Sequence, residues 1–260
     1  MLIHFQKYQG TGNDFVMLDN LKGQYNDLSI AQIVQICDRR FGVGADGLIK
    51  INKHDSLDFE IDYYNSDGSK SFCGNGARCS VAFAKTLGID VNNTRFSAID
   101  GEHSAQMISE TITLDMLAVN TVNQKDKSFE LNTGSPHYVR FVENLGNENI
   151  VSTGKEIRYS GPYIKEGINV NLVEAIDTNS IKIATYERGV EDETLSCGTG
   201  ATACALIVGF SENRIGKNEI AVQVKGGNLK VDFEYLGNGA FTNIKLIGPA
   251  VFVFKGEINV

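Results

Sequence analysis

The alternation of apolar and polar residues predicts a chain built mainly from short strands. Between positions 57 and 64, apolar residues at every second position alternate mainly with acidic ones, which is the two-residue period of a half-buried strand. Similar short runs predict further strands at 5–9, 15–18, 48–51, 95–99, 103–108, 111–117, 138–142, 181–186, 220–224, 229–233, 241–246 and 251–254. The segments 220–224 and 229–233 are expected to form a hairpin.

Three stretches instead predict helices. Ser29 precedes apolar residues at helical spacing and is expected to cap a helix that stops before Gly42. The runs 77–87 and 201–210 contain no helix breaker in their interiors. Asn75 and Thr199 stand just before these two runs, and we expect their side chains to be the N-caps.

Each of these two runs follows a Cys-Gly-x-Gly string, at 73–76 and at 197–200. The strings place Cys73 and Cys197 at the positive ends of helices. A helix N-terminus lowers the pKa of a thiol and offers backbone N–H groups to an anion. The two cysteines are therefore candidate acid–base groups beside an anion-binding turn.

The second half of the chain repeats the order of features in the first half. Gly12 and Gly134 each stand shortly before a predicted strand, and they are separated by nearly the same number of residues as Cys73 and Cys197. A near-constant offset indicates an internal duplication. We predict an α+β fold of two pseudo-symmetric domains, residues 1–118 and 119–248, each a strand-rich unit around a central helix. A polar stretch at 119–127 suits the boundary.

The charge and the apolar content of the chain exclude several classes of partner and location. The 260 residues include 24 basic and 32 acidic side chains, for a net charge of −8 without a basic run, so neither nucleic acid nor an anionic membrane is an expected partner. No stretch approaches the roughly 18 apolar residues of a membrane span. The first residues lack the layout of a secretion signal, and a cytoplasmic location is expected.

The cysteine count argues against a structural disulfide framework. Five cysteines are an odd number, they contain no C-x-x-C pair, and reduced thiols are expected. Cys37, Cys79 and Cys204 lie among apolar residues of predicted helices and are expected in the core. No histidine stands close in sequence to Cys73 or Cys197, so no metal site is predicted.

A series of short strings resembles one known family. They occur, in order, at 12–15, 41–47, 65–69, 73–78, 135–137, 169–171, 186–189 and 197–200. Together they closely resemble the diaminopimelate epimerase family, from about residue 7 to residue 205. The resemblance implies interconversion of LL- and meso-diaminopimelate without a cofactor, for lysine and cell-wall precursor supply. It also implies an active site in the cleft between two domains, a last segment from about residue 249 that returns to the first domain, and a homodimer.

The resemblance also assigns roles to residues. It implies that Cys73 and Cys197 are the two bases. The residues expected to hold the substrate, largely at its distal end, are Asn13, Asn65, Asn169, Glu187 and Arg188. The residues expected to hold the reacting carboxylate are Gly74, Asn75, Gly198 and Thr199. The residues expected to adjust the thiol pKa values are His137 and Glu187.

Two positions depart from the family pattern and keep other functions open. Gly47 stands where many members carry Gln, and Ser135 stands where many carry Asn. One alternative is therefore a racemase of another amino acid on the same fold. A second alternative is a thiol redox or binding protein in which Cys73 and Cys197 form a reversible disulfide, which requires α-carbons within about 6 Å of each other.

Overall fold

The computed structural model describes every residue, Met1–Val260, and the chain divides into two compact units. The first unit comprises Met1–Leu114 together with Gly248–Val260, and the second comprises Asp115–Ile247. Each unit combines a sheet with two α-helices, so the predicted α+β class is confirmed. None of the helices is both long and apolar enough to cross a membrane.

The first unit is organised on eight strands. They are β1 (Leu2–Gly10), β2 (Asn13–Asn20), β3 (Gly47–Asn52), β4 (Phe59–Asn65), β5 (Thr94–Ala98), β6 (Gly101–Ile108), β7 (Thr111–Asp115) and, from the chain's end, β17 (Val251–Asn259). They pair in the order β17-β1-β2-β3-β4-β5-β6-β7. The β2–β3 and β4–β5 pairs are parallel and the others antiparallel. Helices α1 (Ile30–Cys37) and α2 (Gly74–Thr86) connect the parallel pairs, as such crossovers require.

The second unit contains the remaining strands. They are β8 (Asn123–Lys125), β9 (Ser128–Asn132), β10 (Pro136–Phe141), β11 (Asn169–Asp177), β12 (Ser180–Glu187), β13 (Asp192–Glu193), β14 (Gly216–Val224), β15 (Gly227–Gly237) and β16 (Ala240–Pro249). The main order is β8-β9-β10-β11-β12-β14-β15-β16, and the short β13 pairs with β12. The β10–β11 and β12–β14 pairs are parallel. Helices α3 (Ile150–Arg158) and α4 (Gly198–Ser211) connect them.

The two units therefore repeat one topology. In both, two antiparallel pairs are followed by a parallel, an antiparallel and a parallel pair, and then by two more antiparallel pairs. The helix that carries a cysteine at its start lies between equivalent strands, α2 after β4 and α4 after β12 and β13. This repetition is what the internal duplication predicts.

The cysteine helices are the centres of the two units. In α2 every residue from Gly74 to Ala84 is buried, and α4 is buried almost throughout. A helix that is buried on all sides is a core helix rather than a surface one. Cys79 and Cys204 lie within these helices with no exposed surface, and Cys37 is nearly as buried, so their expected place in the core is confirmed.

Candidate active site

Cys73 is itself the N-cap of α2. Its backbone is extended, with φ −134° and ψ 114°, and its Sγ accepts the N–H of Gly76 at 3.5 Å. The prediction that Asn75 caps this helix is wrong, since the helix begins at Gly74. The side chain of Asn75 is held instead by Asn13 and Arg78. The sulfur is therefore closer to the positive end of the helix than the sequence suggested.

Cys197 takes the same position in the second unit. It is the N-cap of α4 with φ −118° and ψ 109°, so the prediction of Thr199 as the cap is also wrong. Gly200 allows a close approach here, because a Cβ on it would lie 2.7 Å from Asn171 Oδ1 and 3.3 Å from Cys197 Sγ. In both units the first helical turn thus lies against a cysteine sulfur, where its N–H groups favour negative charge.

Asn13 connects Cys73 to the rest of the first unit. Its Nδ2 donates to Asp46 Oδ2 at 2.5 Å, which fixes the amide so that Oδ1 is the acceptor at the other end. That oxygen accepts from Cys73 Sγ at 3.5 Å and from Asn75 Nδ2 at 3.3 Å. The structure therefore brings Asn13, Asn75 and Cys73 into one hydrogen-bonded cluster.

A group of charged residues holds Asp46 and the start of β2 in place. Arg39 pairs with Asp46 at 2.7 Å and with Asp14 at 2.8 Å, and Lys7 pairs with Asp14 at 2.7 Å. Burial acts to raise the pKa of the Asp14 carboxyl, but hydrogen bonds and charge from Arg39 and Lys7 outweigh it and lower the pKa. Asp14 is consequently ionised at neutral pH, and the cluster is a fixed support for Asn13.

Asn65 is held by the loop between β4 and α2. Its Nδ2 donates to the backbone oxygen of Ser69 at 3.2 Å and to the hydroxyls of Ser69 and Ser71 at 3.0 and 3.2 Å. Its Oδ1 accepts from the hydroxyl of Tyr63 at 2.8 Å. Asn65 pairs directly with Gly47 across β3 and β4. A Cβ at Gly47 would lie 2.4 Å from the Tyr63 ring, so the glycine makes room for this tyrosine.

A cavity of about 180 Å³ opens beside Cys73 in the first unit. Its walls include Cys73, Tyr63, Phe72 and Ser71, together with charged residues such as Lys70. A small polar molecule could be contacted there by both the cysteine and the loop that binds Asn65. The cavity is therefore part of the candidate site.

In the second unit, His137 reaches Cys197 through Thr199. Asn171 Nδ2 donates to His137 Nδ1 at 3.1 Å, and the orientation of this amide is fixed because Nδ2 also donates to the Tyr138 carbonyl while Oδ1 accepts from Thr185. The proton of the neutral ring is therefore on Nε2, which donates to Thr199 Oγ1 at 2.9 Å. The Thr199 hydroxyl proton is then available for Cys197 Sγ, 3.5 Å away.

His137 is held in its neutral form. It has no exposed surface, and burial, with the charge of Arg188 as a smaller cause, lowers its pKa to about 3. An uncharged imidazole can keep Nδ1 as an acceptor, which the contact with Asn171 requires. The ring therefore acts as a fixed donor toward Thr199 rather than as a cation.

Asn169, Glu187 and Arg188 meet at the ends of neighbouring strands. Asn169 Oδ1 accepts the backbone N–H of Arg188 at 2.9 Å, and its Nδ2 donates to the Pro136 carbonyl at 3.2 Å. Asn169 is also the register partner of His137 in β10 and β11. Glu187 ends β12, directly before Arg188, whose guanidinium donates to the Glu166 carbonyl at 2.9 Å. The second-unit residues predicted from the sequence thus lie together.

Two polar residues of these clusters, Asn171 and Arg78, were not predicted from the sequence as site residues. Asn171 shares a strand face with Asn169, and the two-residue spacing in β11 was the available signal. Arg78 ends the family string 73–78, but nothing in the sequence indicates that its side chain is fully buried beside Asn75.

The duplicated sheets, each around a central helix, define a two-domain fold that is also present in a phenazine biosynthesis protein and in an amino-acid epimerase. A phenazine biosynthesis protein of the PhzF family from Bacillus anthracis has this fold at 14% identity and a TM-score of 0.74, with all of both chains covered. A hydroxyproline epimerase from Agrobacterium vitis matches with a TM-score of 0.71 at 12% identity, over 99% of this chain and 91% of its own.

Sequence comparison identifies the family within that fold. The profile described as diaminopimelate epimerase matches residues 5–122 and 129–253. Diaminopimelate epimerase of Flavobacterium psychrophilum is 51% identical over 254 residues, 97% of this chain and 98% of that protein. The Chlorobaculum tepidum enzyme is 38% identical, over 96% and 99%. The chain belongs to the diaminopimelate epimerase family.

Proposed function

We propose that this protein converts LL-diaminopimelate to meso-diaminopimelate, and that Cys73 and Cys197 exchange the α-proton. The observation that carries the proposal is the repeated placement of a cysteine at the N-cap of a buried helix. Near full-length similarity to proteins named diaminopimelate epimerase supports the choice of substrate.

Inversion at the α-carbon needs one group to remove a proton and another to deliver one to the opposite face. A thiolate takes the Cα–H proton and becomes a thiol, and the electron pair of the broken bond spreads into the α-carboxylate. The second thiol gives its proton to the carbon and becomes a thiolate. This is general acid–base catalysis with two groups of one kind, whose roles exchange in the reverse direction.

The charge that develops on the carboxylate requires stabilisation. The N–H groups of Gly74 and Gly198 lie in the first turns of α2 and α4, where the helix dipoles favour an anion. We propose that Gly74, Asn75, Gly198 and Thr199 bind the reacting carboxylate by this means. No step of this scheme calls for a cofactor.

The distal end of the substrate carries a carboxylate and an ammonium group. We propose that Arg188 binds the carboxylate, that Glu187 binds the ammonium, and that the amides of Asn13, Asn65 and Asn169 complete the contacts. His137 acts through Thr199 on Cys197 in this scheme. These assignments follow the resemblance, and the hydrogen bonds that orient the three amides support them.

We also propose a cytoplasmic homodimer. Four adjacent apolar residues of β17 are 44–52% exposed, and a second copy would cover surface of this kind. The residues are Val251, Phe252, Val253 and Phe254. Light scattering on the purified protein tests the dimer, and a monomer at micromolar concentration would reject it.

Turnover of LL-diaminopimelate without added pyridoxal phosphate or metal tests the function. Exchange of the α-hydrogen in heavy water should be lost in Cys73→Ala and in Cys197→Ala. Cys37→Ala and Cys204→Ala are matched controls that remove buried thiols from the core and should keep the exchange. Full activity in either of the first two variants rejects the two-thiol mechanism, and faster turnover of another amino acid rejects the substrate.

A further inference from the structure

Arg78 is a buried charge without a counterion. Its side chain has no exposed surface, the only titratable groups that interact with it are two thiols, and its Nη1 has no hydrogen-bond partner. Its other contacts are with neutral oxygens: Nη2 donates to Asn75 Oδ1 at 3.1 Å and to Thr11 Oγ1 at 3.4 Å, and Nε donates to the Pro249 carbonyl at 3.4 Å. An ionised group buried in this way is strongly unfavourable unless an opposite charge compensates it.

The position of Arg78 in α2 is unfavourable for a second reason. It is the fifth residue of a helix that begins at Gly74, and the positive end of a helix dipole disfavours a cation nearby. Residues that violate local rules in this way are expected at functional sites, where another requirement outweighs stability. The dipole and the guanidinium together make this end of α2 strongly favourable to an anion.

Two thiols lie close enough to interact with Arg78, those of Cys79 and Cys73. Burial raises the pKa of Cys79 far above its ordinary range despite the neighbouring guanidinium, so Cys79 stays a neutral thiol. Cys73 is only partly buried and stands at the helix N-cap. Cys73 is therefore the thiol at which a negative charge can form next to Arg78.

We infer that Arg78 is a positioning residue that stabilises negative charge at the start of α2, on the sulfur of Cys73 after its proton has left. It acts through its charge and through a chain of side chains. Arg78 holds the amide of Asn75, Asn75 donates to Asn13, and Asn13 contacts Cys73 Sγ. The inference rests on the proposed acid–base role of Cys73.

The contact between Cys73 and Asn13 explains why such help is needed. Asn13 Oδ1 accepts from the thiol and therefore favours the protonated form. On the opposite side of the balance, the backbone N–H of Gly76 donates to the sulfur at 3.5 Å and favours the thiolate. Arg78 opposes the effect of Asn13 and favours release of the proton from Cys73.

The rate of alkylation by iodoacetamide against pH tests the inference without substrate. We would measure it at Cys73 in a Cys197→Ala background, by mass spectrometry of the peptide that contains Cys73. Arg78→Met removes the charge and keeps most of the volume, and we expect the apparent pKa of Cys73 to rise by about one unit or more. Arg78→Lys keeps the charge and should remain close to the parent.

Lys85→Met is the matched control, because it removes one positive charge from the exposed last turn of the same helix. It should leave the apparent pKa of Cys73 unchanged. An unchanged value in folded Arg78→Met would overturn the inference, as would an equal rise in Arg78→Lys. Arg78→Gln serves as a second neutral variant. If neither neutral variant folds, the guanidinium serves the fold rather than the thiol, and the inference also fails.

This experiment separates the inference from the proposed function. A raised apparent pKa of Cys73 in Arg78→Met would support the inference even if the wild-type protein did not turn over diaminopimelate. Conversely, turnover by the wild type together with an unchanged Cys73 pKa in Arg78→Met would support the function and reject the role of Arg78.

Discussion

The buried neutral imidazole of His137 predicts a specific loss of stability in acid. Its pKa is lowered to about 3, chiefly by burial, whereas a histidine in an unfolded chain titrates near 6.5. Between these values the unfolded chain binds a proton that the folded chain does not. The contribution of His137 to stability is therefore complete above about pH 6.5 and declines as the pH falls toward 3.

The magnitude follows from the same two pKa values. One proton bound only by the unfolded state costs about 1.4 kcal/mol for each pH unit within the window. At pH 5 the loss from His137 is about 2 kcal/mol relative to pH above 7, and at pH 4 it is about 3 kcal/mol. These are large fractions of the stability of a typical domain.

Urea unfolding of the wild type and of His137→Gln at several pH values checks this prediction. Gln keeps a donor for Thr199 but does not titrate. Between pH 7 and pH 5, the free energy of unfolding of His137→Gln should therefore decrease by about 2 kcal/mol less than that of the wild type. His4→Gln, at an exposed histidine, is the control and should follow the wild type. Parallel curves for the wild type and His137→Gln would show that burial does not keep His137 neutral.

Two further predictions concern single contacts in the site. Thr199→Val removes the hydroxyl between His137 and Cys197, and we expect kcat/KM for LL-diaminopimelate to fall by about tenfold or more, while Thr199→Ser keeps most of it. Wild-type rates in Thr199→Val would show that His137 does not act on Cys197 through this hydroxyl. Gly47→Ala would place a Cβ 2.4 Å from the Tyr63 ring and should lower the free energy of unfolding by about 1–3 kcal/mol, whereas Gly161→Ala, in open space, should not.

Sequence patterns predicted the elements whose signal is local. The helix capped by Ser29 was predicted correctly, and its capping box with Gln32 is present. The strand at 57–64 was found at Phe59–Asn65 because alternation records which face is buried. Element β11 was missed, since its first five residues are all buried and two of them are asparagines. The asparagines interrupt the continuous apolar run that would mark a strand buried on both faces.

Helix α3 was missed for a related reason. Only Ile150 and Gly154 are buried in it, and its interior carries Gly154 where a cysteine helix has an apolar run. That glycine is required by packing, because a Cβ would lie 2.3 Å from the ring of Tyr186. A contact with a distant strand thus placed a poor helix former inside a helix, and the sequence alone does not reveal such a contact.

In the site, too, features set by consecutive residues were predicted, and features set by contacts between distant residues were not. The cysteines and the glycines after them form continuous strings, so both helix starts were found, although each helix begins before its predicted range. The prediction of Asn75 as an N-cap was wrong, because its side chain is bound by Asn13 and Arg78 instead. Those partners come from β2 and from within the helix, and the choice between capping and these contacts depends on the folded arrangement.

The duplication gave the two cysteines equal helix positions but different polar partners. Asn13 Oδ1 accepts from Cys73, because Asp46 occupies the other end of the amide. Cys197 instead lies 3.5 Å from the hydroxyl of Thr199, which can donate its proton to the sulfur while its oxygen accepts from His137 Nε2. An acceptor beside a thiol favours the thiol, and a donor favours the thiolate. These two side-chain contacts favour a proton on Cys73 and make Cys197 the readier base, and the Gly76 N–H and Arg78 reduce the difference without reversing it.

Alkylation of the wild type by iodoacetamide can measure this asymmetry at each cysteine separately. We expect the rate at Cys197 to reach half of its maximum at a lower pH than the rate at Cys73. Exposure alone predicts nothing about these midpoints, although it favours a faster absolute rate at the partly exposed Cys73 over Cys197, which is 7% exposed. A lower midpoint at Cys73 would refute the assignment, since the donor from Thr199 would then have no effect on Cys197.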